Sequence, residues 1–136
     1  MISDIPLLPI LLKLGEGLLA TLMLSLMAFA LGGTAGLVVL FARVGRNATL
    51  RRVSKAYIQL FQNTPLLMQM FIVFFGASMA GFEMSPWTAA AIGLTLYTSA
   101  YLAEVWRGCV EAIPRGQWEA SSSLAMGYFQ QMRHVV

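Results

Sequence analysis

Charged, sulfhydryl and imidazole side chains are scarce in this sequence. Only 11% of its 136 residues are charged, against roughly a quarter in soluble domains, so the chain lacks the polar surface that a water-soluble fold requires. A single cysteine excludes an internal disulfide, and a single histidine leaves no cluster around which a metal site could form. We therefore expect neither a metal nor a cofactor on this chain.

The sequence motifs of several enzyme classes are missing as well. The chain contains no GxxxxGK[ST] phosphate-binding loop, no His-Glu-x-x-His, no Gly-x-Ser-x-Gly and no paired carboxylates within one apolar stretch. A membrane enzyme is therefore disfavoured. Any process driven by ATP would need an ATPase on a partner chain.

Long apolar runs dominate what is present. Hydrophobic residues make up 58% of the chain, and residues 17–42, 56–82 and 84–103 carry no charge. A helix needs about 20 apolar residues to cross the hydrocarbon layer, so each run is long enough. The second run begins with polar residues, which moves its expected span to about 65–81. The sequence therefore predicts an all-α membrane protein with spans at about 17–42, 65–81 and 86–106.

The basic residues are distributed unevenly between the two sides of these spans. Eight of the nine lie in the loop 43–56 or after the third span: Arg43, Arg46, Arg51, Arg52, Lys55, Arg107, Arg115 and Arg133. This bias predicts an external N-terminus and a cytoplasmic C-terminal segment. The loop offers no aromatic or polar side chains for reading bases, so we expect no nucleic-acid partner.

Several local patterns predict helix ends and contacts. Gly32 and Gly36, with Ala28 one turn earlier, form a small-residue face that favours close helix packing, either within the chain or between chains. Pro65 after Asn63 and Thr64 predicts a helix start with an Asn or Thr cap. Residues from about 50 to 62 would then form a separate or kinked helix at the cytoplasmic interface.

Glu104 allows two interpretations. An ionisable residue inside a membrane is a functional candidate because its burial is costly. Its position at the inner end of the third span, three residues before Arg107, also allows a structural ion pair near the headgroups.

The segment 116–136 changes character towards small and polar residues. From Gln117 onward the sequence suits a helix, and one apolar stripe recurs at helical spacing: Leu124, Ala125, Tyr128, Phe129, Met132 and Val136. We expect that stripe to face the membrane domain. The remaining small-residue face around Glu119 is typical of a docking surface.

The stretch "GQWEASSSLAMGYFQQMRHVV" resembles the cytoplasmic EAA loop of permease subunits from ABC importers. "FQNTPLLMQMFIVFFG" and "YTSAYLAEVWRGCVEAIPRGQWEA" are similar to the polar amino acid branch of that family. In that family the loop forms a coupling helix that inserts into a groove of the ATPase subunit. The resemblance implies an ATPase-coupling set: Glu119, Ala120, Ser121 in place of the second Ala, Ala125 in place of the usual Gly, and Gly127, which could restore turn freedom.

The resemblance also implies the function of the protein and the partners with which it forms a transporter. It predicts a subunit of the bacterial inner membrane that imports polar amino acids, with an ATPase dimer, a second permease subunit and an external binding protein as partners. Gln69 and Glu104 become candidates for the pathway or for packing. Family members carry five or more spans, and this chain ends before the Leu-Pro that closes the motif, so we expect the N-terminal part of one permease domain. A truncated or accessory membrane protein without transport activity is the alternative.

Overall fold

The computed structural model describes residues 7–135, which form six α-helices and, within that range, no strand. The helices are α1 (Leu7–Val44), α2 (Ala48–Asn63), α3 (Leu66–Met79), α4 (Pro86–Glu111), α5 (Arg115–Ser123) and α6 (Tyr128–His134). The predicted all-α fold class is confirmed. Helices α1 to α4 form the packed part of the molecule, and α1 against α4 is its most extensive contact.

The contact between α1 and α4 depends on glycine. A Cβ atom added to Gly32 would lie 2.8 Å from Thr98 Cβ, and one added to Gly36 would lie 3.0 Å from the carbonyl oxygen of Ser99. Ala28, Gly32 and Gly36 are all buried. The small-residue face predicted from the sequence therefore packs within the chain, where it lets two helix backbones approach closely.

Helix α2 is a separate element, as predicted. Asn47 caps its start, since its side-chain oxygen accepts a hydrogen bond of 2.9 Å from the backbone N–H of Thr49. The helix is fastened to α4 through Tyr57, whose hydroxyl oxygen lies 2.7 Å from Ser99 Oγ and 3.1 Å from the Leu96 carbonyl oxygen. This polar contact fixes α2 against a buried position of α4.

A sharp break separates α2 from α3, whose axes are bent by 104°. Proline has no N–H to donate and pushes the preceding residue out of the helical conformation, so the helix ends before it. Thr64 is accordingly extended, at φ −110° and ψ 137°. The predicted Asn or Thr cap is wrong: Pro65 is itself the N-cap residue of α3, and no side-chain hydrogen bond caps that helix. The Thr64 hydroxyl instead donates to the Leu60 carbonyl at 2.8 Å.

The helices differ in their capacity to cross a bilayer. Among the described residues, α1 alone is long and apolar enough, and α2 with α3 would add a second span if the bent pair is counted as one. The 14 residues of α3 extend only about 21 Å, short of the ~30 Å hydrocarbon layer. Helix α4 has 26 residues, but polar side chains keep it below the same apolar limit. The count of three spans stays a prediction.

Candidate functional site

Helix α5 carries the central residues of the predicted coupling set. Glu119 and Ala120 are exposed, whereas Ser121 is only 3% exposed. The helix packs only loosely on the α1–α4 bundle. Glu119 and its small neighbour therefore lie on an accessible surface, and Ser121 lies on the inner side of the same helix.

The three consecutive serines of α5 are satisfied within the helix. The hydroxyls of Ser121 and Ser122 both donate to the Trp118 carbonyl, at 2.9 and 2.8 Å, and the Ser123 hydroxyl donates to the Glu119 carbonyl at 2.9 Å. Such bonds to carbonyls three or four residues earlier are the usual way in which serine is accommodated inside a helix. The tract thus remains helical.

Helix α5 ends in a left-handed turn at Ala125. The backbone N–H of Ala125 donates to Ser122 at 3.0 Å, and that of Met126 donates to Ser121 at 3.2 Å. This pair of bonds is a Schellman motif, in which the residue after the cap adopts positive φ and is usually glycine. Ala125 adopts φ 55° despite its Cβ atom. It is the only non-glycine residue with positive φ between residues 7 and 135.

The structure corrects the predicted role of Gly127. We expected its flexibility to replace that of the glycine missing at 125. Gly127 has φ −69° and ψ 158°, a conformation open to any residue, and it is the N-cap of α6. Its backbone N–H donates to the Gln130 side-chain oxygen at 2.9 Å. The turn is therefore made by Ala125 itself.

The prediction of one continuous helix from Gln117 is also wrong. The turn at Ala125 divides the segment into α5 and α6, so the predicted apolar stripe is not a single face. Leu124 is 77% exposed and Phe129 is 76% exposed, whereas Met132 is half-buried. The last residue of the stripe, Val136, lies outside the described residues.

Ala125→Gly is expected to stabilise the turn between α5 and α6. A left-handed conformation costs an L-residue roughly 1–2 kcal/mol, part of which glycine regains at the expense of chain entropy. A net gain of about 1 kcal/mol would slow amide hydrogen exchange across residues 121–126 about fivefold.

Gly81 provides the matched control for this prediction. It closes α3 with the same motif at φ 84°, through bonds from Gly81 to Ser78 and from Phe82 to Ala77. No atom lies within 4 Å of the Cβ that alanine would add there. Gly81→Ala should therefore accelerate exchange at the end of α3 by a similar factor. Unchanged exchange in Ala125→Gly would contradict the strain argument.

Glu104 belongs to an ion-pair network near the C-terminal end of α4. Arg107 donates from one terminal nitrogen to Glu104 at 2.6 Å and from the other to Glu111. The hydrogen bonds that Arg107 donates to Glu104 and, to a smaller extent, to Glu111 raise the pKa of its guanidinium above the usual value. The spacings of three and four residues place all three side chains on one helix face. The structure favours pairing as the role of Glu104, and its assignment to a pathway stays a prediction.

Gln69 is buried at the break between α2 and α3. Its side-chain nitrogen donates to the carbonyls of Phe61 and Thr64, at 2.8 and 2.9 Å, and lies 2.7 Å from Thr64 Oγ1. The last carbonyls of a helix have no intrahelical partner. The Gln69 amide therefore donates to carbonyls at the end of α2 that Pro65, which has no N–H, leaves without a donor. This arrangement supports a packing role for Gln69 rather than a role in the substrate pathway.

Two contacts were not anticipated from the sequence. Glu111 completes the network around Arg107, and its spacing of four residues was a signal that could have identified it. The pairing of Tyr57 with Ser99 joins residues 42 positions apart, and no local pattern predicts such a contact.

Sequence comparison relates the chain to membrane transport proteins. Residues 32–136 match the family described as "Binding-protein-dependent transport system inner membrane component". The chain is similar to a probable amino-acid ABC transporter permease of Bacillus subtilis, with 39% identity over 89% of this chain and 54% of the relative. It is also similar to a putative glutamine transport system permease of Rickettsia felis, with 34% identity over 94% of this chain and 59% of the relative. The chain spans about half the length of these curated relatives.

Solved structures give a corresponding result. The fold matches a chain of the "Crystal structure of an amino acid ABC transporter with histidines" with a TM-score of 0.83 and 29% identity, covering 97% of this chain and 63% of that chain. A chain of the MetNI methionine ABC transporter matches with a TM-score of 0.68 and 24% identity, covering 98% of this chain and 63% of that chain. This second match shows a similarity of fold.

Proposed function

Because this chain belongs to the family of binding-protein-dependent transport system inner membrane components, we propose that it acts as a permease subunit of an ATP-driven importer of polar amino acids. Its similarity to an amino-acid permease and a glutamine permease supports the substrate class. The family consists of transport components, so the protein is a transporter subunit rather than an enzyme. Hydrolysis of ATP would take place on a partner chain, and this chain would need no cofactor.

The observation that carries the proposal is the exposed surface of α5 around Glu119 and Ala120. A permease must transmit force from an ATPase to its membrane helices, which requires an accessible contact on the cytoplasmic side. Glu119 offers a charge to such a partner, and the small side chain of Ala120 permits close approach. The turn at Ala125 gives this surface a fixed end. These features support an ATPase dimer as the cytoplasmic partner.

The remaining partners follow from the same assignment. The likeness to an amino acid ABC transporter supports a second permease subunit and an external solute-binding protein. The many exposed hydrophobic side chains of α1 and α3 are suited to lipid or to further membrane helices. They include Leu26, Phe29 and Val38 of α1 and Leu67 and Ile72 of α3, each more than 60% exposed.

ATP-dependent uptake tests the proposal directly. Proteoliposomes that contain the transporter built with this chain, its ATPase and its binding protein should accumulate a radiolabelled polar amino acid only when ATP is enclosed with the ATPase. Glutamine and cystine are the first substrates to compare, since permeases named for them are 33% and 30% identical to this chain. Absence of uptake for a panel of polar amino acids, with hydrolysis intact, would contradict the proposed substrate class.

The proposed orientation places the N-terminus outside and α5 in the cytoplasm of a bacterial inner-membrane protein. Single cysteines in a Cys109→Ser background test it, because removal of the exposed Cys109 leaves one thiol in each variant. In intact cells, Glu83→Cys in the connector between α3 and α4 should react with a membrane-impermeant thiol reagent, and Thr49→Cys should not. Both positions are exposed. Labelling of Thr49→Cys in sealed cells would reverse the orientation and remove the cytoplasmic docking role.

A further inference from the structure

A basic cavity lies between the α1–α4 bundle and the two short helices α5 and α6. It has a volume of about 420 Å³ and is lined by Arg43 at the end of α1, Arg51 in α2 and Arg115 at the start of α5, with Trp118 and Tyr128 among its walls. Three arginines from three different helices therefore line one cavity that is open to solvent. We call it the arginine cavity.

Among residues 7–135, the arginines of the arginine cavity outnumber its carboxylates. Glu111 is the only carboxylate that lines it, and that carboxylate is bonded to Arg107. Within residues 7–135, none of the three lining arginines forms a salt bridge. Arg43 also borders a second cavity that contains Lys55 and Glu104, but Glu104 is likewise held by Arg107.

One donor of the arginine cavity is buried without a partner. The Nε–H group of Arg43 is shielded from solvent and donates to no acceptor among the described residues. A buried polar group that lacks a partner is costly, particularly when it is charged. An acceptor oxygen that reaches this N–H group after a small movement of the Arg43 side chain would satisfy it.

The backbone adds to the positive potential. Arg115 is the first residue of α5. The N-terminal end of a helix carries partial positive charge on its unsatisfied N–H groups. Helix α5 has no side-chain cap at this end, so its first N–H groups keep their capacity to donate.

We propose that the arginine cavity binds a phosphate-bearing anion. Guanidinium groups match the oxygens of phosphate in a bidentate manner, and one phosphate group has enough oxygens to bond several of them at once. The ligand is the headgroup of an anionic phospholipid or free inorganic phosphate. Anionic lipids are abundant in the cytoplasmic leaflet, and the half-buried Trp118 with Tyr128 suits the boundary between headgroup and hydrocarbon.

Native mass spectrometry of the detergent-solubilised chain, titrated with phosphatidylglycerol, measures the binding. Phosphatidylcholine serves as the lipid with no net charge, and inorganic phosphate is added as competitor. The test variant is Arg51→Gln/Arg115→Gln, since both residues are exposed and their loss leaves the bundle packing intact. The matched control is Arg46→Gln/Arg52→Gln, which removes the same charge from the same side at residues that do not line the cavity. Circular dichroism verifies that helix content is unchanged.

We expect phosphatidylglycerol to bind at least about tenfold more tightly than phosphatidylcholine, and the test variant to bind it about tenfold more weakly than the control variant. Arg43→Gln should weaken binding in the same direction. Displacement of the lipid by inorganic phosphate would identify the free anion as the ligand, and no displacement would identify the lipid headgroup. Equal weakening in the test and control variants, or equal binding of the two lipids, would overturn the proposal.

Discussion

Glu119→Lys is expected to lower substrate-stimulated ATP hydrolysis at least about tenfold, while the chain still folds and inserts. The side chain is exposed and takes no part in any hydrogen bond or ion pair among residues 7–135, so its replacement leaves the fold unchanged. At an interface with the proposed ATPase, reversal of the charge would place like charges together and cost more than ~1.4 kcal/mol, which corresponds to tenfold. Hydrolysis by the assembled transporter in proteoliposomes measures the effect.

Ala120→Trp examines the same surface by bulk instead of charge. An exposed alanine next to Glu119 leaves room for a partner, and a large side chain there would overpack a close contact at a cost of roughly 1–3 kcal/mol. Glu83→Lys is the matched control for the charge reversal, because it makes the same substitution at an exposed position beyond the other end of α4. Normal stimulation in both Glu119→Lys and Ala120→Trp would remove the support for coupling through α5.

Gly32→Ala is expected to destabilise the α1–α4 contact, although alanine favours helix formation. The added Cβ would lie 2.8 Å from Thr98 Cβ and 3.1 Å from the backbone oxygen of Thr95. The helices must separate to relieve these contacts, and overpacking of this kind costs roughly 1–3 kcal/mol. The gain in intrinsic helix propensity, up to about 1 kcal/mol, offsets only part of that cost.

Gly33→Ala is the control for that prediction. The neighbouring glycine would place its Cβ 3.9 Å from Leu102 Cδ1, which is an ordinary van der Waals contact. Unfolding in mixed micelles by dodecyl sulfate, followed by circular dichroism, should therefore give a lower midpoint for Gly32→Ala and an unchanged or higher one for Gly33→Ala. Similar midpoints for the two variants would contradict close packing at Gly32.

Parts of this fold that depend on local spacing could be predicted from the sequence. Gly32 and Gly36 lie four residues apart, which places them on one face, and that face packs as expected. Glu104 and Arg107 lie three apart and form the predicted ion pair. Pro65 ends the preceding helix through its missing N–H, so α2 was recognised as a separate element. In each case the residues concerned are close in sequence and one physical rule dominates.

The break between α5 and α6 could not be predicted from local spacing. Alanine has the highest helix propensity of all residues, so Ala125 within an apolar periodicity indicated a continuing helix. The periodicity itself persists across the break, because Leu124, Tyr128 and Met132 keep helical spacing even though two helices share them. Two hydrogen bonds at the end of α5 hold Ala125 in a conformation that its own preference opposes. Only the three-dimensional structure reveals that balance.

The serine hydroxyls of α5 give its outer surface a one-sided hydrogen-bonding character. The exposed hydroxyls of Ser122 and Ser123 already donate their protons to carbonyls of the same helix, so they present oxygen lone pairs outwards. The Ser122 oxygen also accepts from the Gln131 side chain at 3.1 Å. The carboxylate of Glu119 adds further acceptors, and the C-terminal end of a helix is the negative end of its dipole. The surface therefore accepts hydrogen bonds and has few to give. A protein that binds this surface must therefore supply the hydrogen-bond donors, from lysine, arginine or free backbone amides.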